Sequence, residues 1–205
     1  MEYKKNIFFH FARTLFLCFF TLNAGFSFAN QETTYVVLKC HDGDTCHLQG
    51  AENIHLKVRL IAIDAPEVGK KKGKQKTPDQ PFGPESREFL NHLIQGKKVT
   101  LVHYGLDPFS RNLVEIYLDK KNINLEIVRN GFAEVYRTKK QLSQTSKRSV
   151  KNTPSHMQQL DLEKYVVAEQ AAKKEKRGVW SLQKHQSPLE WRMEHKHSSL
   201  YRAKG

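Results

Sequence analysis

Three cysteines, acids outnumbered 21 to 34 by bases, and no long apolar run set the first limits on this chain of 205 residues. With so few cysteines, and no histidine–cysteine spacing beyond the sparse pair His195-Lys196-His197, a zinc site drops out. The uninterrupted apolar run Leu15 to Phe20 falls far short of the ~20 residues that cross a bilayer, which argues against a membrane anchor. No internal repeat is visible, and the length suits one domain with tails. The shortage of acids leaves a formal charge of +13. Such a surface favours polyanionic partners, through neutralised phosphates and released counterions. An idle soluble surface gives the same count, and composition does not choose between them. A hydrophobic content of 39% is enough to build a core.

The N-terminus reads as a leader rather than as part of the fold. Lys4, Lys5 and Arg13 precede the apolar run, and Ser27-Phe28-Ala29 offers small residues at the two positions that a signal peptidase reads. Cleavage after Ala29 is expected, and loss of those three bases and of Glu2 leaves a mature charge of +11. Cys18 departs with residues 1–29. Cys40 and Cys46 remain, three residues either side of Gly43 in the turn His41-Asp42-Gly43-Asp44-Thr45. A disulfide across a hairpin, in an oxidising compartment, and two small buried apolar residues are both consistent with this spacing.

Thr34 to Ile63 reads as strands, with Tyr35-Val36-Val37-Leu38 leading into the Asp-Gly-Asp turn. In His55 to Ile63, alternation puts Leu56, Val58, Leu60 and Ala62 on one face and Arg59 and Ile61 on the other. Pro66 ends the run, and the five lysines, two prolines and two glycines of 68–82 predict a solvated loop. Gly83-Pro84-Glu85 opens a helix that Gly96 stops, with Phe89, Leu90, Leu93 and Ile94 at helical spacing. Val99 to Val102 and Leu113 to Leu118 predict a strand pair. Asn122 or Asn124 caps a short helix through Val128, and a last helix runs from about Leu160 to Lys176. The aperiodic, Lys/Ser/Gln-rich stretch 138–157 predicts a mobile insert, and the polar tail beyond Ser181 predicts little order. Five strands with interspersed helices suggest an α+β fold, a Greek-key barrel of the OB type, among several α+β options.

Carboxylates concentrate in Asp42-Gly43-Asp44-Thr45 and in Arg59-Leu-Ile-Ala-Ile-Asp64-Ala65-Pro66-Glu67. Asp44 leaves a tight turn and Asp64 sits where a strand ends, and carboxylates gathered at strand ends hold hard cations through oxygen. Turn aspartates are commonly only turn formers. Arg59, inside an apolar strand, needs an anion, either the nearby acids or a phosphate. Spacing by itself favours the structural ion pair.

These segments, followed by Phe82-Gly-Pro-Glu85, Asp107-Pro-Phe-Ser-Arg111, Asn130-Gly-Phe-Ala133 and Ala168-Glu-Gln-Ala-Ala through Trp180, resemble in order the signatures of the thermonuclease (staphylococcal nuclease) family. The resemblance covers about residues 34–181. It implies a five-stranded OB-type β-barrel with about three packed α-helices, in a domain spanning 30–182 followed by a basic tail, 183–205. It further implies one Ca²⁺, held by the carboxylates of Asp44 and Asp64 and the backbone carbonyl of Ala65. Glu67 would position or deprotonate the attacking water, and Arg59 and Arg111 would grip the scissile phosphate. The implied activity is endonucleolytic cleavage of DNA and RNA leaving 3′-phosphates. The leader, for its part, predicts the periplasm or the outside of the cell with no stable membrane association after cleavage, and a monomer is expected. Pro108, Phe109 and Ser110 depart from the lysine and tyrosine that the family often has before its second arginine. Tyr136 reads equally as a nucleotide-stacking residue and as a barrel aromatic. The Lys70 to Lys76 run reads first as a solvated loop and second as a guide for nucleic acid. Two other readings stand beside the enzyme: a catalytically silent nucleic-acid-binding module, and a membrane-anchored protein with an idle basic domain. Retention of Asp44, Arg59, Asp64, Glu67 and Arg111 weighs against the first.

Overall fold

Alternating burial builds the sheet. In β2 (Thr45–Gln49) and β3 (His55–Leu60), Cys46, Leu48, Val58 and Leu60 point into the core while His47 and Lys57 face solvent. The computed structural model describes residues 33–72, 75–137 and 160–201. The stretches expected as a leader, 1–29, and as a mobile insert, 138–157, lie outside the described residues. β1 (Thr34–Cys40) pairs antiparallel with β2, β2 with β3, and β1 also with β7 (Lys98–Leu106). β7 runs antiparallel to β8 (Asn112–Leu118), and β8 closes the ring by pairing in parallel with β3. The result is a closed five-stranded barrel of the OB type, with Val37, Leu48, Val58, Leu60 and Ile116 fully buried. Short strands complete the β structure: β4 (Ile63–Asp64), β9 (Lys121–Asn122) and β10 (Glu134–Val135). β5 (Lys71–Lys72) and β6 (Gln75–Lys76) form a small ladder where the sequence predicts a loop.

Among the described residues, four α-helices pack around or beside this barrel. Pro84 stands in the first turn of α1 (Gly83–Ile94), whose Leu90 and Ile94 are buried. Its Asn91 grips both backbone groups of Cys40, accepting from the N–H at 2.9 Å and donating to the carbonyl at 3.1 Å. Asn122 caps α2 (Ile123–Arg129) by accepting the Leu125 N–H at 2.9 Å. Asn124, the alternative cap, is instead fully buried, and its amide donates to the carbonyls of Ile61 and Val114 while accepting from Ile116 N–H. α3 (Glu163–Lys174) presents Tyr165 and Glu169 to the interior.

Two further expectations change. The strand expected to run to Ile63 stops at Leu60, because Ala62 takes a left-handed backbone with φ 70°. The period-two alternation therefore breaks, and Ile61, expected on the face of Arg59, is buried. The tail, expected to carry little order, forms α4 (Pro188–Tyr201). Cys40 and Cys46, directly opposite in the β1–β2 ladder, are joined as a disulfide.

Buried acids hold helices to the barrel. Glu169 accepts from Val135 N–H, Arg137 and Lys173, and so braces β10, whose Glu134 pairs with Asp64 of β4. Glu115 accepts from Tyr104, Tyr165 and Asn122 and pairs with Lys164. Burial pushes both carboxyls up, but these bonds outweigh it and both end below the ordinary value of 4.5. A depressed folded-state value means that the stability these groups add is complete above that pH and drains away as pH falls toward the folded value. Melting followed by circular dichroism should show Tm flat from neutral pH to about 5 and falling below. Glu169→Gln should lower Tm at pH 7 and flatten the acid limb.

Candidate active site

Strand register assembles the acids. Thr45 and Arg59 are direct partners in the β2–β3 ladder, which puts Asp44, one residue before Thr45, beside the arginine. The Arg59 guanidinium pairs with Asp44 and reaches Asp64 Oδ1 at 2.8 Å and the Ile63 carbonyl at 3.2 Å. The left-handed turn at Ala62 folds β4 back so that Asp64 meets the arginine five residues before it. Asp44 also accepts the Ala65 N–H at 2.8 Å and the Thr45 hydroxyl at 3.0 Å. Asp44 and Asp64 are only 5% and 4% exposed, and these donors stand in for the water that burial removes. Gly43 makes the turn fit. A side chain there would fall 1.9 Å from Ser86 Oγ and 2.7 Å from Ala65 Cβ.

Glu67 is anchored through its backbone: its N–H donates to Gln80 Oε1 at 3.1 Å and its carbonyl accepts Gln80 N–H at 2.9 Å. Gly83 lies so close that a Cβ would come within 2.3 Å of the Glu67 carbonyl oxygen. The Glu67 carboxylate receives a residue that the sequence reading missed. Arg192 of α4 donates to Glu67 Oε1 at 2.8 Å and spans both oxygens of Asp64 at 3.0 and 2.8 Å. Burial lowers the affinity of Arg192 for its proton, yet the two acids more than offset this and hold it above the usual arginine value. A signal for α4 was present in Ser187-Pro188-Leu189-Glu190, a capping box with proline at the first helical position. The structure forms that box: Ser187 N–H donates to Glu190 Oε2 at 2.9 Å, and Glu190 N–H to Ser187 Oγ at 3.3 Å.

The parallel pairing of Val58 with Asn112 brings Arg111 alongside this cluster. Its Nη1 reaches the Thr45 hydroxyl at 3.4 Å, while Asp107 clamps its Nε at 2.6 Å and its backbone N–H at 2.9 Å. Burial raises the Asp107 carboxyl, but the Arg111 and Phe109 donors bring it below its ordinary value. Phe109 is 79% exposed, with the Arg111 guanidinium 5.6 Å from its ring centre. Tyr136 donates its backbone N–H to the Ala62 carbonyl, and its side chain is exposed rather than part of the core.

The arrangement thus gathers Asp44, Arg59, Asp64, Ala65 and Glu67, with Arg111 adjoining through Thr45. Among the described residues no group of three or more His, Cys, Asp or Glu side chains is arranged as a ready metal cage. The donors nonetheless suit a hard divalent cation: they are all oxygens, and guanidinium groups already occupy their negative ends as stand-in cations.

The sequence model described as "Staphylococcal nuclease homologue" matches residues 57–182, well over half of the chain. The chain belongs to the staphylococcal nuclease family. An "Uncharacterized endonuclease" of Haemophilus influenzae is 32% identical over 183 residues, covering 89% of this chain and 84% of that relative. A "Thermonuclease" of Staphylococcus hyicus is 29% identical over 137 residues, 63% of this chain and 78% of the relative. A "Probable endonuclease" of Komagataella phaffii is 28% identical, and the chain spans only 56% of its length. The stretch matched to the staphylococcal nuclease family holds Arg59, Asp64, Glu67 and Arg111, whereas Arg192 lies beyond it.

The crowding at Gly43 yields a test. Gly43→Ala should destabilise by about 1–3 kcal/mol, the usual cost of overpacking, measured by urea unfolding. Ser86→Ala in the same chain should recover part of the loss by removing the nearest atom.

Proposed function

We propose that this chain is an exported, calcium-dependent endonuclease that hydrolyses phosphodiester bonds of DNA and RNA, leaves 3′-phosphates and acts as a monomer. Its family and relatives make it a nuclease. The observation that carries the finer reading is the convergence of two buried aspartates, a half-buried glutamate and two arginines at one end of β2, β3 and β4.

A phosphodiester is anionic, and attack on it builds further negative charge that must be met. The forked, planar donors of Arg59 and Arg111 suit phosphate oxygens. Asp107 fixes one edge of Arg111, so its guanidinium is aimed before substrate arrives. Asp44 and Asp64, with the Ala65 carbonyl, would hold Ca²⁺, which when bound offsets phosphate charge and orients or acidifies water. Glu67, less buried than the aspartates, takes the proton from the attacking water. The charge of +11 left on the chain after leader cleavage draws polyanions from solution. Export is supported by the layout of residues 1–29 and by the Cys40–Cys46 disulfide, a bond of oxidising compartments. Among the described residues no helix is long and apolar enough to cross a membrane.

Digestion of single- and double-stranded DNA and RNA, with Ca²⁺ or with chelator, tests the activity. Arg59→Ala or Arg111→Ala should each lower turnover by about two orders of magnitude or more, the effect of losing ~2.7–4 kcal/mol of charge stabilisation, with folding kept. Near-normal turnover removes that arginine from the mechanism. Glu67→Gln should depress turnover far more than Ca²⁺ affinity. Mass spectrometry of exported protein should find an N-terminus at Asn30; a chain still carrying Met1 refutes the leader.

A further inference from the structure

The C-terminal segment reaches the acids by a route that apolar packing does little to secure. Gln80, which holds the Glu67 backbone through its Oε1, donates its Nε2 to the Gln186 carbonyl at 2.8 Å. Ser187 then caps α4, and Arg192, one turn into the helix, lies over Asp64 and Glu67. Among the described side chains of α4 only that of Pro188 is buried. Beneath the segment is a cavity of about 60 Å³ lined in part by Val179, Leu182, His185 and Trp191. α4 is therefore held largely by ion pairs and a few hydrogen bonds, interactions that another cation can replace.

Charge and geometry say which cation. Asp44, Asp64 and Glu67 bear three negative charges, and Arg59 offsets one. Arg192 offsets a second, and without it the cluster is two charges short, the deficit that a single divalent ion fills. Arg192 also takes both Asp64 oxygens and one Glu67 oxygen. Asp64 cannot serve a metal fully while that bidentate grip persists, and Glu67 cannot accept a proton freely while bound to a guanidinium.

We propose that Arg192 is a tethered inhibitory cation: α4 closes over the acid cluster, and Ca²⁺ opens it by displacing the Arg192 guanidinium. This rests on the metal site proposed above. Because the competitor is part of the chain, it acts at a high effective concentration and weakens apparent metal affinity by the inverse of the fraction of time that α4 is undocked.

Two measurements on the full chain test this. Hydrogen exchange read by mass spectrometry over 188–195, without metal, reports docking alone; Arg192→Ala should speed exchange there, and so should adding Ca²⁺ to the wild type. Calorimetry reports competition: Arg192→Ala should bind Ca²⁺ about tenfold or more tightly, and Arg192→Lys, a point charge without the fork, should fall between. Equal Ca²⁺ affinity in wild type and Arg192→Ala overturns the inhibitory role while leaving the metal site standing. Loss of Ca²⁺ binding in both proteins overturns the metal reading, and the displacement with it, even where exchange over α4 has risen. Lower turnover in Arg192→Ala at unchanged Ca²⁺ affinity also overturns it, and would make Arg192 a phosphate-binding group.

Discussion

The ion pairs that join Asp44 to Arg59 and Arg59 to Asp64 are the constraint on which the site depends. Two acids from segments about twenty residues apart lie almost wholly out of water, and the guanidinium between them offsets much of the cost of burying both. The barrel supplies the address: β2 and β3 set Arg59 across from Thr45, the Ala62 turn returns Asp64, and the parallel seam to β8 delivers Arg111. Each step is a backbone event, so a site of long, flexible side chains inherits the rigidity of the sheet.

Much of the fold was legible from residue order. The helix opened by Gly83-Pro84 and closed before Gly96 runs from Gly83 to Ile94, because proline and apolar spacing agree there. The barrel strands were legible where apolar and polar residues alternate, as at Val58 and Leu60. Alternation misled at Ile61, since it presumes an extended backbone and gives no hint of a left-handed alanine. The choice between Asn122 and Asn124 as cap also lay beyond local pattern: both stand near the helix start, and only the tertiary fold shows that Asn124 is spent on Ile61 and Val114.

At the site the same division holds. The clustered aspartates, the strand arginine and the order of motifs pointed to a single locus, and the structure brings those side chains together. Arg192 was invisible because it lies 125 residues after Glu67 and in a tail whose polar composition reads as solvated. Composition averages over that segment, whereas a four-residue cap, Ser187 to Glu190, decides that it is helical. Gln80 was hidden for a related reason. In a lysine-rich loop an amide looks like surface, yet it is buried and serves two backbones at once.

The Cys40–Cys46 bridge encloses a very short loop, only six positions from one sulfur residue to the other. Loop-entropy reasoning gives such a ring about 2 kcal/mol, less than a crosslink spanning most of a domain provides. Its value is therefore local. The ring encloses Asp42, Gly43 and Asp44, and Asn91 pins one end to α1. A thiol reductant would thus leave the barrel standing while slackening the very turn that presents Asp44, making redox state a dial on the site rather than on the fold.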